Sequence, residues 1–155
     1  MVSLIYIDKN PKNKVYKDLI DFAFERCDIF HLVIRKEFGP LNDYDPVLNE
    51  LHPFLKEKKE TSKWAGTELD GETAYVYYYS ANELSKDKIL KFSKSLFGWE
   101  QPILPEDLSF YKSENPWLVS IAHEQMAYIL TDDQYEMDRL RKIKGLRISF
   151  EEDGE

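Results

Sequence analysis

Residues 104–130 read LPEDLSFYKSENPWLVSIAHEQMAYIL, and the parsing of this stretch decides the fold. Leu108 to Lys112 and Trp117 to Ala122 are short, β-prone apolar runs, joined by the turn residues Ser113-Glu114-Asn115-Pro116. Met126 to Leu130 is a third such run, set off from the second by the polar pair His123-Glu124. Three strands with short connections form a meander, and a meander is antiparallel. Pro102 and Pro105 make the lead-in, Gln101 to Asp107, irregular.

Downstream, Thr131 to Gln134 has the spacing of a capping box. The helix it opens is acidic early (Asp132, Asp133, Glu136) and basic late (Arg139, Arg141, Lys142), which suits the helix dipole. Gly145 ends it. Leu146 to Phe150 reads as a last strand, and 151–155 is an acidic tail.

Upstream, Val2 to Ile7 is a strand, and Lys12 to Cys27 repeats apolar residues at helical spacing. Ile29 to Arg35 is apolar on both faces, as a central strand should be. After the loop FGPLNDYD, a second helix opens at Asp45-Pro46, kinks at Pro53 and ends in solvent with KEKKE. Asp70-Gly71 between Lys63–Leu69 and Glu72–Tyr79 is a hairpin signal. Ser80 or Asn82 caps a third helix running to about Leu96, with Gly98 as its stop. The expectation is a single α+β domain over 1–150, a mixed, mostly antiparallel sheet with about four helices packed on it.

Composition bounds what such a domain can do. The chain has 155 residues and is 43% hydrophobic and 14% aromatic, enough to build a core rather than remain disordered. Its net charge of −8 disfavours phosphate backbones, so nucleic acid is not an expected partner. The basic cluster at Arg139, Arg141, Lys142, Lys144 and Arg147 is explained by a dipole-matched helix end. No apolar run approaches the ~20 residues of a membrane span, and the N-terminus lacks the pattern of a signal peptide. The cytoplasm is the expected location. Cys27 is the only cysteine, which excludes an internal disulfide, and no cofactor or metal motif is present.

Two groups of residues are candidates for function. His123 and Glu124 follow a strand, with Glu106 and Asp107 earlier in the same stretch. An imidazole among carboxylates suits acid–base chemistry or a divalent metal. A zincin helix would need a second histidine at position 127, which is alanine. The structural alternative is a histidine that caps a core strand. His31, mid-strand on an apolar face, reads as a satisfied core residue. Tyr75, Tyr77 and Tyr79 share one strand face and would suit protein recognition if exposed; the alternative is a β-strand that simply uses a β-favouring residue. Exposure of Trp64, Trp99 or Trp117 would add to the first reading.

The segments PEDLSFY, PWLVSIAHE and MAYIL resemble a group of small soluble proteins from Bacillus-like Gram-positive bacteria. The resemblance implies a bacterial cytoplasmic protein and carries no activity. Taken together, the residues lead to a non-enzymatic, acidic interaction module, immunity-type or regulatory, that binds a protein partner. The alternatives are a small enzyme or ligand-binding domain with its site at His123 and the nearby carboxylates, and a homodimer formed through an exposed aromatic strand.

Overall fold

One row of apolar side chains crosses the whole sheet. Phe150, Ile5, Ile129, Leu118, Phe110, Phe30, Tyr79 and Leu55 are successive cross-strand partners. The computed structural model describes residues 2–38 and 44–151. Within them the strands are β1 (Ser3–Ile7), β2 (Ile29–Arg35), β3 (Leu55–Thr61), β4 (Lys63–Trp64), β5 (Thr67–Glu68), β6 (Ala74–Ser80), β7 (Glu106–Lys112), β8 (Asn115–Ile121), β9 (Met126–Thr131) and β10 (Ile148–Phe150). The helices are α1 (Lys14–Arg26), α2 (Asp45–Leu51), α3 (Glu83–Phe92) and α4 (Gln134–Arg141). Eight strands form one sheet in the order β10-β1-β9-β8-β7-β2-β6-β3, and each of its pairings is antiparallel. This is the α+β class, with the 106–131 meander in the middle of the sheet.

The apolar row faces the helices. Leu19, Ile20 and Phe22 of α1, Val47 and Leu51 of α2, Ile89 of α3 and Leu140 of α4 join it in one core. β2 lies between β7 and β6 and is buried on both faces, as the apolar residues on both sides of IFHLVIR dictate. Outward charges on α1 pair one turn apart, Lys14 with Asp18 and Lys17 with Asp21.

Several local readings change. The segment LKEKKET does not finish a helix. Pro53 ends α2 in a short 3-10 turn, and residues 55–61 become the edge strand β3, paired to β6. Their charges serve what is the sheet's edge among the described residues, and Lys58 and Lys59 lie over the rings of Tyr75, Tyr77 and Tyr78. The hairpin does not turn at Asp70-Gly71 either. β4 and β5 pair with each other about Ala65-Gly66, while β6 pairs with β2 and β3. Gly66 is required there. Its φ is +90°, and an added Cβ would sit 2.7 Å from Cγ1 of Val119.

Helix α3 stops at Phe92 rather than Leu96. The Ser93 hydroxyl bonds the Ser95 backbone, and Asn13 and Lys12 pin residues 94 and 95 from across the molecule. Asn82 is its cap, in a reciprocal pair with Ser85. The cap of α4 is Asp133, whose carboxylate accepts the N–H groups of Tyr135 and Glu136. Thr131 instead donates its hydroxyl to the Glu136 side chain. Most of the loop after Phe38 and all but the first residue of the acidic tail lie outside the described residues.

The sheet's second face is only partly covered. The segment between β3 and β6 folds across it. Trp64 packs on Val33, Ala74 and Val76, and Gly66 reaches Val119 and Ile121 of β8. Among the described residues, the closest approach of this segment recorded on that side is to β8.

Candidate functional site

His123 and Glu106 do come together. His123 lies in a 3-10 turn, Ala122–Glu124, between β8 and β9. Its Nε2 is 2.8 Å from Oε1 of Glu106, and its Nδ1 is 2.9 Å from Oε2 of Glu100. The ring rests on Phe38, with centroids 4.8 Å apart. Arg35, at the end of β2, stacks over the same Phe38, pairs with Glu37 at 2.6 Å and approaches Glu106 at 3.9 Å.

A bulge builds the carboxylate side. Asp107 has φ +61°, and the β2–β7 register slips between His31 and Val33. Successive strand residues normally point to opposite faces, and the bulge breaks that alternation. Glu106 and Asp107 are therefore both 1% exposed and repel one another. Burial first, and Asp107 second, push the Glu106 carboxyl up to about 7, against the pull of His123, the Gln101 N–H and Arg35. Burial also raises Asp107, opposed by the N–H of Ala122 at 2.9 Å and Trp64 Nε1–H at 3.4 Å. Gln101 fixes the arrangement from behind, accepting the Arg35 N–H and donating to the Arg35 carbonyl and the Tyr44 hydroxyl.

Glu124 is not part of this cluster. Its side chain is exposed at the turn, and the place it was expected to fill belongs to Glu100. Asp107 touches the main chain of the histidine turn rather than the ring. Glu100, Arg35 and Phe38 carry no local motif and come to the site only through the fold. Among the described residues, no group of three or more His, Cys, Asp or Glu side chains is spaced to hold a metal ion.

The tyrosine ladder faces the helices. Tyr77 and Tyr79 are buried in the main core and Tyr75 is half-buried, so the exposed face that recognition requires is missing there. Trp64, Trp99 and Trp117 are buried as well. His31 is fully buried, bonded through Nδ1 to the Tyr111 hydroxyl at 2.7 Å and pushed down to about 3 by that burial. Cys27 is buried, and burial raises its thiol, which makes it a poor nucleophile.

The exposed large apolar side chains fall into two sets. Leu84 on α3, Ile103 in the turn before β7 and Tyr135 on α4 stand apart from one another. Val2, Tyr6 and Met126 gather at β1 and β9, with Tyr6 and Met126 on the second sheet face beyond the reach of Gly66. Tyr6 and Tyr128 are cross-strand partners there, as are Leu4 and Leu130, and Met126 pairs with Ile121. Tyr6 is 36% exposed and Met126 45%, and Val2 just ahead of β1 is 57% exposed. The exposed carboxylates Asp8, Glu124, Asp132 and Glu151 stand at the ends of these strands, with Arg147 among them. A recess of about 530 Å³ opens beside Leu130 and Val2, lined also by Pro116, Trp117, Lys112 and Asp132. Exposed apolar residues gathered on one face with a polar rim have the composition of a contact surface.

Comparison with protein-family models, with curated proteins and with solved structures finds no match for this chain. No helix among the described residues is long and apolar enough to cross a membrane.

Proposed function

We propose that this protein is a non-enzymatic, acidic interaction module, regulatory or immunity-type, working in a bacterial cytoplasm. It docks a basic protein partner on the uncovered face of β9 and β1. The observation that carries this reading is the half-covered sheet. Among the described residues, Tyr6, Tyr128, Met126, Leu4 and Leu130 share one face with Tyr6 and Met126 exposed, whereas the segment between β3 and β6 packs over Val33, Ala74, Val76 and Val119. Tyrosine at such a surface supplies large contact area at low entropy cost. The rim carboxylates and the net charge of −8 favour a cationic partner and speed its approach. They also oppose the pairing of two copies of this chain at low salt.

The test is affinity capture at low and high salt with three proteins. These are the wild type, a Tyr6→Glu/Tyr128→Glu double variant, and Lys17→Glu on the far side of the molecule. A basic protein retained by the wild type and by Lys17→Glu, but lost from the double variant and at high salt, supports the proposal. Equal retention by all three sinks it.

A catalytic reading has one observation in its favour, a carboxyl raised to about 7 beside an imidazole. It ranks second because both ring nitrogens of His123 already face carboxylates, leaving neither free to meet a substrate. Turnover of any small substrate that is lost in His123→Gln would reverse this ranking.

A further inference from the structure

Hydrogen-bond inventory sets a condition on the Glu100–His123–Glu106 chain. A neutral imidazole carries one N–H donor and one acceptor nitrogen, and ionised carboxylates only accept. Both ring nitrogens lie within 2.9 Å of a carboxylate oxygen. The chain in this geometry therefore holds one proton more than a neutral histidine between two ionised glutamates. That proton lies along the Nε2···Oε1 contact or makes the ring an imidazolium. Once it leaves, one of the two contacts has an acceptor against an acceptor and opens.

We infer that His123 is a proton-operated latch, which clamps the β8–β9 turn to the 99–101 segment and β7 while the extra proton is bound and releases it when the proton leaves. The contact that opens is the one to Glu100. Glu106 is buried and among the described residues otherwise meets the Gln101 N–H at 3.3 Å and Arg35 at 3.9 Å, so it keeps the remaining N–H. Glu100 is part-exposed and water can replace its partner. Among the described residues, the charged groups facing the latch are Glu100, Glu106 and Asp107, with Arg35 behind Glu106 and Glu37 paired to Arg35. Glu124 on the same turn points to solvent. Glu106, raised to about 7, places the transition near neutral pH.

The turn matters because Ile121 and Met126 are its two ends, and they close one margin of the proposed docking face. Latch release thus loosens that margin, which makes docking sensitive to proton concentration. This consequence rests on the docking proposal, whereas the latch is a property of the free chain.

The experiment uses the full chain without a partner. Hydrogen exchange of the amides of residues 121–126 and the ¹⁵N shifts of the His123 ring are followed from pH 5.5 to 9. In the wild type, protection of the turn, corrected for intrinsic exchange, should fall by about tenfold across the transition, the weight of one charge-assisted hydrogen bond. The ring shifts should move at the same midpoint. Glu106→Gln keeps a donor for Nε2 without titrating, so its turn should stay protected at pH 9. His123→Ala should show no such step, its turn protection staying at or below the wild-type level at pH 9 throughout. A Glu106→Gln profile that tracks the wild type, or turn protection that does not move with the ring shifts, overturns the latch. Loss of the docking proposal in the capture test leaves these readings unaffected, so the two failures are distinguishable.

Discussion

Replacing Glu136 with glutamine should weaken a buried polar tie that joins α1 and α4 to three strands. The Glu136 side chain is 0% exposed, and all its acceptor positions are occupied. Oε1 accepts Trp117 Nε1–H at 2.9 Å and the Thr131 hydroxyl at 2.5 Å. Oε2 accepts Arg26 Nε–H and Lys112 Nζ–H, each at 2.7 Å. Residues from α1, β7, β8 and β9 thereby converge on the first turn of α4. Burial alone would push this carboxyl up. The hydrogen bonds from Lys112, Thr131, Arg26 and Trp117 outweigh burial and hold it down at about 2, against an ordinary 4.5. That difference corresponds to about 3 kcal/mol. Lys112 is 40% and Arg26 25% exposed, so solvent screening trims the expected cost to about 2 kcal/mol.

Glutamine keeps the shape but turns an NH₂ group toward donors and leaves two cations without their shared anion. In a chain of this size, Tm should fall by about 4–8 °C at pH 7. The sign of the pH dependence follows from the depressed carboxyl. The wild type holds this stability above the ordinary 4.5 and loses it as pH falls toward about 2. The gap between wild type and variant, measured by urea unfolding, should therefore be full at pH 7 and shrink steadily at pH 4 and pH 3. A gap under about 0.5 kcal/mol at pH 7, or one that does not change on acidification, would refute the reasoning.

Three other substitutions probe the remaining structure. Gly66→Ala places a side chain at φ +90° and 2.7 Å from Val119, and should cost about 2 kcal/mol by urea titration. Tyr111→Phe deprives the buried His31 Nδ1 of its partner and should cost about 1–3 kcal/mol, with no gain from the added hydrophobicity. Glu106→Gln should be neutral or mildly destabilising at pH 5 and more stable than the wild type by about 2 kcal/mol at pH 8.5. A carboxyl raised from 4.5 to about 7 makes wild-type stability fall as pH rises through that window, and the amide removes that slope. Parallel stability curves for the two proteins would contradict this.

What could be read in the sequence was what local periodicity carries. The Ile29–Arg35 run, apolar on both faces, announced a central strand, and 104–130 announced a meander, because burial on two faces or one leaves a short-range pattern. The charged strand β3 left none. Five exposed residues in LKEKKET look like a solvated helix end until the neighbouring strand that accepts them is known. The hairpin at Ala65-Gly66 was hidden behind the stronger Asp-Gly signal, since the need for Gly66 arises from Val119, more than fifty residues away. At the site, Glu106 and His123 were visible as residue types, but Glu100 and Arg35 enter through tertiary packing alone. The tyrosine ladder was misleading for a related reason. Alternation shows that three side chains share a face and does not show which face the helices cover.

Site-specific photo-crosslinking tests the docking surface most directly. A photoreactive phenylalanine analogue is placed at position 6, 126 or 128, and for comparison at position 84 on exposed α3. Illumination in extract or in cells should give a discrete adduct with a basic protein from the first three positions and none from position 84. An adduct from position 84 with none from 6, 126 and 128 would place the partner on the helical side and contradict the proposed interface.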